Sequence, residues 1–190
     1  MRVLVVDESE ERGSVLREGL SRAGHEVAAT LSSPLALLAK VEELRPDVII
    51  IDTESPSRDV LEHLVVVSQS SPRPIVMFAS DDRGEAIRDA VQAGVSAYIV
   101  DGLDAQRVKA IVDVACARFE QFQRLRAELA EANLKLSERK LVERAKGILM
   151  RSRNLEEAEA YRVLRRMAMD RNRRIGDVAQ SVIDMQDLLG

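Results

Sequence analysis

Short apolar runs rich in β-branched residues alternate with amphipathic stretches along the first 115 residues. The runs have the length and composition of buried strands, and the stretches between them carry apolar residues at helical spacing. Strands that alternate with helices predict a parallel sheet covered by helices on both faces. The five predicted strands are Val3–Val6, Glu26–Thr30, Val48–Ile51, Ile75–Phe78 and Ala97–Val100.

Strand signals stop at about Asp104, and the rest of the chain has helical periodicity. One apolar stripe follows a mostly three-four spacing in otherwise polar surroundings, which predicts a short coiled-coil seam. Because so brief a seam is not stable alone, we expect it to pair in a homodimer. The alternative is a surface helix that packs on its own domain. The predicted seam residues are Phe122, Leu125, Leu129, Ala132 and Leu136.

The C-terminal segment predicts a small bundle of three helices joined by short links. The first covers Glu138–Met150 and the last covers Ile175–Leu189. Asn154 and Glu157 resemble a capping box, so we expect the middle helix to begin at Leu155. Tyr161 lies at core spacing on that helix, and a place in the bundle core is favoured over stacking on a nucleobase.

Charge is distributed in blocks, although the formal net charge is only −4. Between Arg139 and Arg174 there are twelve Lys or Arg and five Asp or Glu, while the preceding 138 residues hold sixteen basic and twenty-four acidic residues. Such asymmetry favours a polyanion-binding module attached to an acidic partner domain. The alternative is a solvated helical face, but nucleic acid is favoured because the excess extends over several predicted turns.

Composition excludes several classes of protein. Aromatic residues make up 3% with no Trp, which argues against base-stacking platforms on a sheet. The two histidines, His25 and His63, lie at a predicted turn and in a predicted helix, so no paired nucleophile and base is present and no enzyme is expected. Nothing resembles a signal peptide or a membrane span, and we expect a soluble, cytoplasmic protein without membrane contact.

Three acids follow neighbouring strands of the predicted sheet. Asp7 and Glu8 end the first strand and Asp52 ends the third. In a sheet ordered 2-1-3-4-5 these strands are adjacent, so the carboxylates converge at the switch point where ligands of such sheets bind. Carboxylate oxygens suit Mg²⁺, and a metal there helps a carboxylate accept a phosphoryl group. The alternative is that each acid merely caps a helix.

Residues 1–115 resemble the receiver domain of response regulators, a flavodoxin-like fold. The resemblance places Asp52 at the phosphoacceptor position, and Tyr98 at the aromatic switch position. Two positions depart from the family: Ala79 replaces the usual Thr or Ser after the fourth strand, and Asp101 stands where the family has Lys. An acid at that position repels a phosphorylated Asp52. We therefore expect an atypical receiver in which Asp52 is vestigial and phosphorylation-driven switching is lost.

Residues from about 125 onward resemble the ANTAR RNA-binding domain. The matching motifs are Glu138–Met150 with its Ala-Lys-Gly core, Ala158–Tyr161, Leu164–Met169 and Asp177–Ala179. The resemblance implies binding to paired stem-loops in a transcript leader and prevention of termination. Gly147 lies inside a helix, so either a phosphate backbone or a neighbouring helix must approach it closely. The RNA-binding residues expected are Arg139, Lys140, Arg144, Lys146, Gly147, Arg165, Arg166, Arg173 and Arg174.

The stretches Asp52–Pro56, Arg73–Phe78 and Gly94–Val100 are similar to those of the nitrate-assimilation branch, the NasT-type regulators. This similarity implies control by a nitrate-sensing partner of the NasS type. The predicted organisation is a receiver at 1–115, a coiled-coil linker helix at 116–137 and an ANTAR domain at 125–190. The alternative function is a phosphorylation-controlled regulator that binds DNA, because a basic three-helix bundle also resembles a helix-turn-helix.

Overall fold

The computed structural model describes residues 1–7, 10–101 and 104–189. The chain divides into two compact units, Met1–Gln123 and Arg124–Gly190, which we call the N-terminal and C-terminal units. Among the helices described, none combines the length and the apolarity that crossing a bilayer requires.

The N-terminal unit contains five strands, which run through residues close to those predicted: β1 Arg2–Asp7, β2 Glu26–Leu31, β3 Val48–Thr53, β4 Ile75–Ala79 and β5 Ala97–Val100. They form a parallel sheet in the order β2-β1-β3-β4-β5, which confirms the predicted fold. All six residues of the central strand β3 are buried, as expected for a sheet covered on both faces.

The helices of this unit are α1 Glu10–Arg22, α2 Leu37–Leu44, α3 Arg58–Ser70, α4 Gly84–Gln92 and the first part of α5 Val108–Arg153. Alternating residues of each strand face two separate apolar layers. Leu4 and Val6 of β1 contribute to the layer that packs against α2, α3 and α4, whereas Val3 and Val5 contribute to the layer against α1 and the start of α5. This alternation is the period of two that strand geometry imposes.

The C-terminal unit is built from the second part of α5 together with α6 Glu157–Asp170 and α7 Ile175–Leu189. Each helix presents one apolar face to a common core, so the predicted three-helix arrangement is confirmed. The buried core consists of Val142, Ala145, Ile148, Leu149, Ala160, Leu164, Ala168, Val178, Ala179 and Ile183.

Asn154 does not begin the middle helix, so the predicted capping box is wrong. Its φ of 52° is left-handed, and the Leu155 amide donates to the Met150 carbonyl at 3.3 Å, a bond typical of a helix C-terminus. Asn154 therefore terminates α5, because its short polar side chain tolerates the left-handed conformation. Helix α6 begins at Glu157, after Glu156, which provides no side-chain cap.

Tyr161 does not lie in the bundle core, so the favoured placement of this residue is also wrong. Its side chain is 44% exposed, whereas the neighbouring core positions Ala160 and Leu164 are fully buried. At about 100° per residue, the direction of Tyr161 lies about 60° from that of Leu164, which puts it at the edge of the buried face.

The predicted seam residues all lie on α5 with exposed side chains. Phe122, Leu125, Leu129 and Leu136 are 53–62% exposed, and Ala132 is exposed as well. The helix is continuous across the predicted boundaries at residues 115 and 137. Those domain boundaries stay predictions, because no break in secondary structure marks them.

Candidate functional site

Asp7 and Asp52 lie side by side at the carboxyl edge of the sheet. They are paired in register on the adjacent strands β1 and β3, about 4.8 Å apart along the hydrogen-bonding direction, and are 8% and 2% exposed. The sheet therefore brings together two of the three predicted ligands. Glu8 lies outside the described residues. Two buried carboxylates fit a hard cation such as Mg²⁺, although the described residues hold no group of three potential ligands.

The two departures from the receiver pattern lie on the neighbouring strands. Ala79 ends β4 with only 5% exposure, so the position that usually carries a hydroxyl presents a buried methyl group. Asp101 follows β5 with a φ of 43°, and its amide donates to the Ala79 carbonyl at 3.1 Å. The acid edge thus has no hydroxyl at position 79 and a further carboxylate, not an ammonium group, at position 101.

Asp81 joins the loops that follow β3 and β4, which sequence reasoning did not anticipate. The Ser55 hydroxyl donates to its carboxylate at 2.7 Å, and the Arg83 guanidinium donates at 2.7 and 3.0 Å. The hydrogen bonds from Arg83, which have the larger effect, and from Ser55 hold the pKa of the Asp81 carboxyl well below its usual range. Ser55 and Asp81 are 26 residues apart, so no local sequence pattern reveals the contact.

Tyr98, at the switch position, is attached to the same loop. Its hydroxyl donates to the backbone carbonyl of Asp81 at 2.8 Å, and partial burial raises the pKa of the phenol. In addition, the Glu54 carbonyl accepts from the amides of Ser80 and Asp81. Both loops and the switch residue therefore form one hydrogen-bonded network at the edge of the acid site.

Most of the predicted RNA-binding side chains of the C-terminal unit are exposed. The exposed ones are Arg139, Lys140, Arg144, Arg165, Arg166, Arg173 and Arg174. The basic residues of α5 do not all lie on one face of that helix. At about 100° per residue, Lys140, Arg144, Gly147 and Arg151 fall within an arc of about 60° on α5, whereas Arg139 points about 100° away from Lys140.

Lys146 is the exception, since only 8% of the residue is exposed. Its ammonium lies 2.7 Å from Glu157 Oε1 on α6 and 2.9 Å from Glu143 Oε2 on α5. Glu157, and then Glu143, raises the pKa of this lysine, while Lys146 lowers that of Glu157. The structure gives Lys146 a role in joining two helices, and RNA binding by this residue stays a prediction.

Two other contacts of the C-terminal unit involve α7. Arg144 Nη2 lies 3.2 Å from Asp187 Oδ1, and both side chains are about 60% exposed, so the pair contributes little to stability. Glu138 accepts from the Gly176 amide at 3.3 Å, close to the start of α7. A Cβ at Gly176 would lie 2.9 Å from Glu138 Cγ, so this glycine is required for close packing.

Two protein-family models match parts of the chain. The Response regulator receiver domain matches residues 3–113, more than half of the chain, and the ANTAR domain matches residues 130–183. The first match covers the sheet and its acid edge. The second covers the bundle and its exposed arginines.

Curated relatives and solved structures agree with this division. The chain is 28% identical over 183 residues to "Transcriptional regulatory protein PdtaR" of Mycobacterium tuberculosis, covering 96% of this chain and 89% of the relative. It is 32% identical over 88 residues to the "Nitrate regulatory protein" of Klebsiella oxytoca, covering 46% of this chain and 22% of the relative. Among solved structures, the chemotaxis response regulator CheY4 of Vibrio cholerae has a TM-score of 0.53 at 26% identity, covering 60% of this chain and 97% of that chain.

The sheet order and the paired acids at its carboxyl edge agree with the receiver match. The basic helical bundle agrees with the ANTAR match. The relative that spans almost the whole chain is itself a transcriptional regulator. The chain belongs to the response regulators that join a receiver domain to an ANTAR domain, a non-enzymatic family of RNA-binding antitermination regulators.

Proposed function

We propose that this protein binds stem-loops in the leader of an operon for nitrate or nitrite assimilation and prevents termination of that transcript. The ANTAR match and the exposed arginines of the C-terminal unit support RNA as the ligand. The name of the Klebsiella relative and the similarity of three receiver stretches to the NasT-type branch support nitrate as the signal. Transcript leaders are made in the cytoplasm, so a cytoplasmic location belongs to the same proposal.

The observation that carries RNA binding is the set of exposed basic side chains with no acidic partner among the described residues. Arg165 and Arg166 on α6, and Arg173 and Arg174 before α7, are exposed and form no ion pair there. Arginine guanidinium groups bind phosphates and stack on splayed loop bases. The exposed ring of Tyr161, four residues before Arg165, adds a surface on which a base can stack.

Receiver control is proposed to come from a nitrate-sensing protein of the NasS type and not from phosphorylation. Asp101 replaces the lysine that neutralises a phosphorylated carboxylate, and Ala79 has no hydroxyl to follow the phosphoryl group. The loops that normally respond are already joined through Asp81 and Tyr98. A partner protein that binds this edge of the sheet needs neither the lysine nor the hydroxyl. When Mg²⁺ binds, Asp7 and Asp52 supply carboxylate oxygens, and the ion offsets their mutual repulsion.

The exposed stripe on α5 is proposed to pair two copies of the chain. Four apolar side chains that are more than half exposed on one helix face are unfavourable in water. Pairing presents two C-terminal units together, so an RNA with two stem-loops is bound more tightly than one with a single stem-loop.

Reversal of charge at Arg165 and Arg166 tests RNA binding. The variant Arg165→Glu with Arg166→Glu is expected to weaken binding to a two-stem-loop RNA at least tenfold at 100 mM salt, since about two phosphate contacts are lost. Arg17→Glu with Arg118→Glu makes the same change of charge on exposed residues of the N-terminal unit and is the control. These sites are preferred to Arg144 and Lys146, whose ion pairs within the fold also break on reversal.

Competition between the RNA and duplex DNA at matched salt distinguishes the alternative function. The proposal requires that duplex DNA competes at least 100-fold less effectively than RNA. Equal competition by DNA, or equal RNA affinity in the Arg165/Arg166 variant and the control, contradicts it. Far-UV circular dichroism of each variant establishes that the helices are retained.

A further inference from the structure

Gly147 lies within helix α5, six residues before the end of that helix at Arg153. Glycine is the least favourable residue in a helix interior apart from proline, because the unfolded chain gains more backbone freedom from it than from any other residue. A glycine at such a position therefore needs a reason, such as a left-handed backbone conformation or a close neighbour.

The described structure contains neither reason. Gly147 does not have a positive φ, and a Cβ added there meets only Arg151 Nη1 at 3.6 Å, an ordinary contact. Gly176 and Gly19 differ, because a Cβ would lie 2.9 Å from Glu138 Cγ at the first and 2.8 Å from Val108 Cγ2 at the second. Packing between helices requires those two glycines, and among the described residues it does not require Gly147.

The surroundings of Gly147 are strongly basic. Lys140, Arg144 and Arg151 lie within about 60° of it around the helix axis, on the side opposite the buried Ala145 and Leu149. The Arg151 guanidinium lies over the glycine and forms no ion pair among the described residues. We call the group Lys140, Arg144, Gly147 and Arg151 the glycine notch.

Two acids beside the glycine notch already have basic partners. Around the helix axis, Glu143 lies about 40° from Gly147, on the side away from the three basic residues. Its carboxylate binds the Lys146 ammonium at 2.9 Å. Asp187 binds Arg144 at 3.2 Å, but this exposed pair is weak and a phosphate oxygen can replace the carboxylate. The local field at the notch therefore favours an anion.

We propose that the glycine notch is the point where the RNA sugar–phosphate backbone lies directly against α5, an inference that rests on the proposed RNA-binding function. Arg144 and Arg151 bind the phosphate from either side, and Lys140 binds the next phosphate along the strand. The missing side chain lets the phosphate approach the helix backbone about 1.5 Å closer than alanine would permit. Arg151 is thereby added to the RNA-binding residues, although it was not among those expected from the sequence.

The substitution Gly147→Ala distinguishes an RNA contact from a structural role, because stability and RNA affinity are expected to change in opposite directions. Alanine fits the space, so the thermal midpoint is expected to rise by about 2–4 °C. Affinity for RNA is expected to fall at least fivefold. The probe is a fluorescein-labelled RNA with a single stem-loop, selected by the wild-type protein from a pool of hairpins with randomised loops.

Gly84→Ala is the matched control. Gly84 begins α4 in the N-terminal unit, and Arg88, four residues on, lies 3.4 Å from the position of a Cβ there. The two substitutions add the same methyl group beside the same type of side chain. RNA affinity is expected to be unchanged in the control. The slope of log affinity against log salt is negative, and Arg151→Ala is expected to reduce its magnitude by about 0.7–0.9, the value for one lost phosphate contact.

Each result decides the inference. A more stable Gly147→Ala variant with weaker RNA binding supports it, and a variant that binds RNA as the wild type does overturns it while leaving RNA binding itself intact. If the wild-type protein retains no hairpin from the pool, the proposed function and the inference both fall. If Gly147→Ala weakens self-association in sedimentation without changing affinity for the single stem-loop, the notch binds a protein chain and the inference is wrong.

Discussion

The substitution Leu129→Lys is expected to weaken self-association of this protein at least 20-fold. Leu125, Leu129 and Leu136 are 56%, 62% and 53% exposed, so each chain carries the equivalent of about 1.7 fully exposed leucines on one face of α5. At about 1.5–3 kcal/mol for complete burial of a leucine, pairing contributes about 2.5–5 kcal/mol from each chain.

Two chains together gain about 5–10 kcal/mol, against an association cost of about 4–15 kcal/mol. The two ranges overlap, so the proposed pairing is expected to be of modest strength. Losing Leu129 from both chains removes about 2–4 kcal/mol, since 62% of its surface is available for burial. At about 1.4 kcal/mol per tenfold change, the dimer constant falls by a factor of about 20 or more.

The measurement is analytical ultracentrifugation over a range of protein concentrations, with and without RNA. Leu134→Lys is the matched control, because Leu134 is 57% exposed on the same helix but points about 140° away from Leu129. Adding Leu136→Lys to Leu129→Lys is expected to complete the loss and to weaken binding to a two-stem-loop RNA, while sparing a single stem-loop.

Equal self-association of the Leu129 and Leu134 variants contradicts pairing along this stripe. In that case the stripe is ordinary helix surface, and two copies do not meet along it. A double variant that still forms a two-to-one complex with unchanged affinity for the two-stem-loop RNA has the same consequence.

Two further predictions concern the receiver and the helix contact at Lys146. Asp52→Asn is expected to leave antitermination nearly intact in a reporter assay, because Asp101 opposes a phosphorylated Asp52; a loss as large as that of the Arg165/Arg166 variant contradicts partner control. Glu157→Gln is expected to lower the thermal midpoint at pH 7. Lys146 lowers the pKa of Glu157 from 4.5, so the stabilisation is present above pH 4.5 and lost as pH falls through the lower folded value. A difference from wild type that stays constant between pH 7 and 3 contradicts it.

The receiver fold was predictable because its signals are local and repeated. Each strand is a short apolar run and each helix has its own periodic face, and parallel strands joined by helices leave few topologies. The helix boundary at Asn154 was predicted wrongly for the same reason. Asn occurs both before helices and after them, and only the Leu155 to Met150 hydrogen bond reveals which role this residue has.

The basic residues of the C-terminal unit illustrate a second limit. Sequence identifies their number and their helix, but treats every charge as exposed. Lys146 is buried against Glu157, eleven residues away on the next helix, because the turn after Asn154 reverses the chain. Tyr161 is exposed because the buried face of α6 is narrow and centred on Ala160, Leu164 and Ala168.

The amino-acid order alone was enough to predict the sheet order, the paired acids Asp7 and Asp52, the departures at Ala79 and Asp101 and the basic character of the C-terminal helices. Periodicity, composition and motif spacing all act within a few residues of each other. Three features are visible only in the folded chain: Asp81 joins two loops, Lys146 joins two helices, and nothing described within the fold requires Gly147. Contacts between distant segments depend on how the packed helices and strands place their side chains, and no local pattern contains that information.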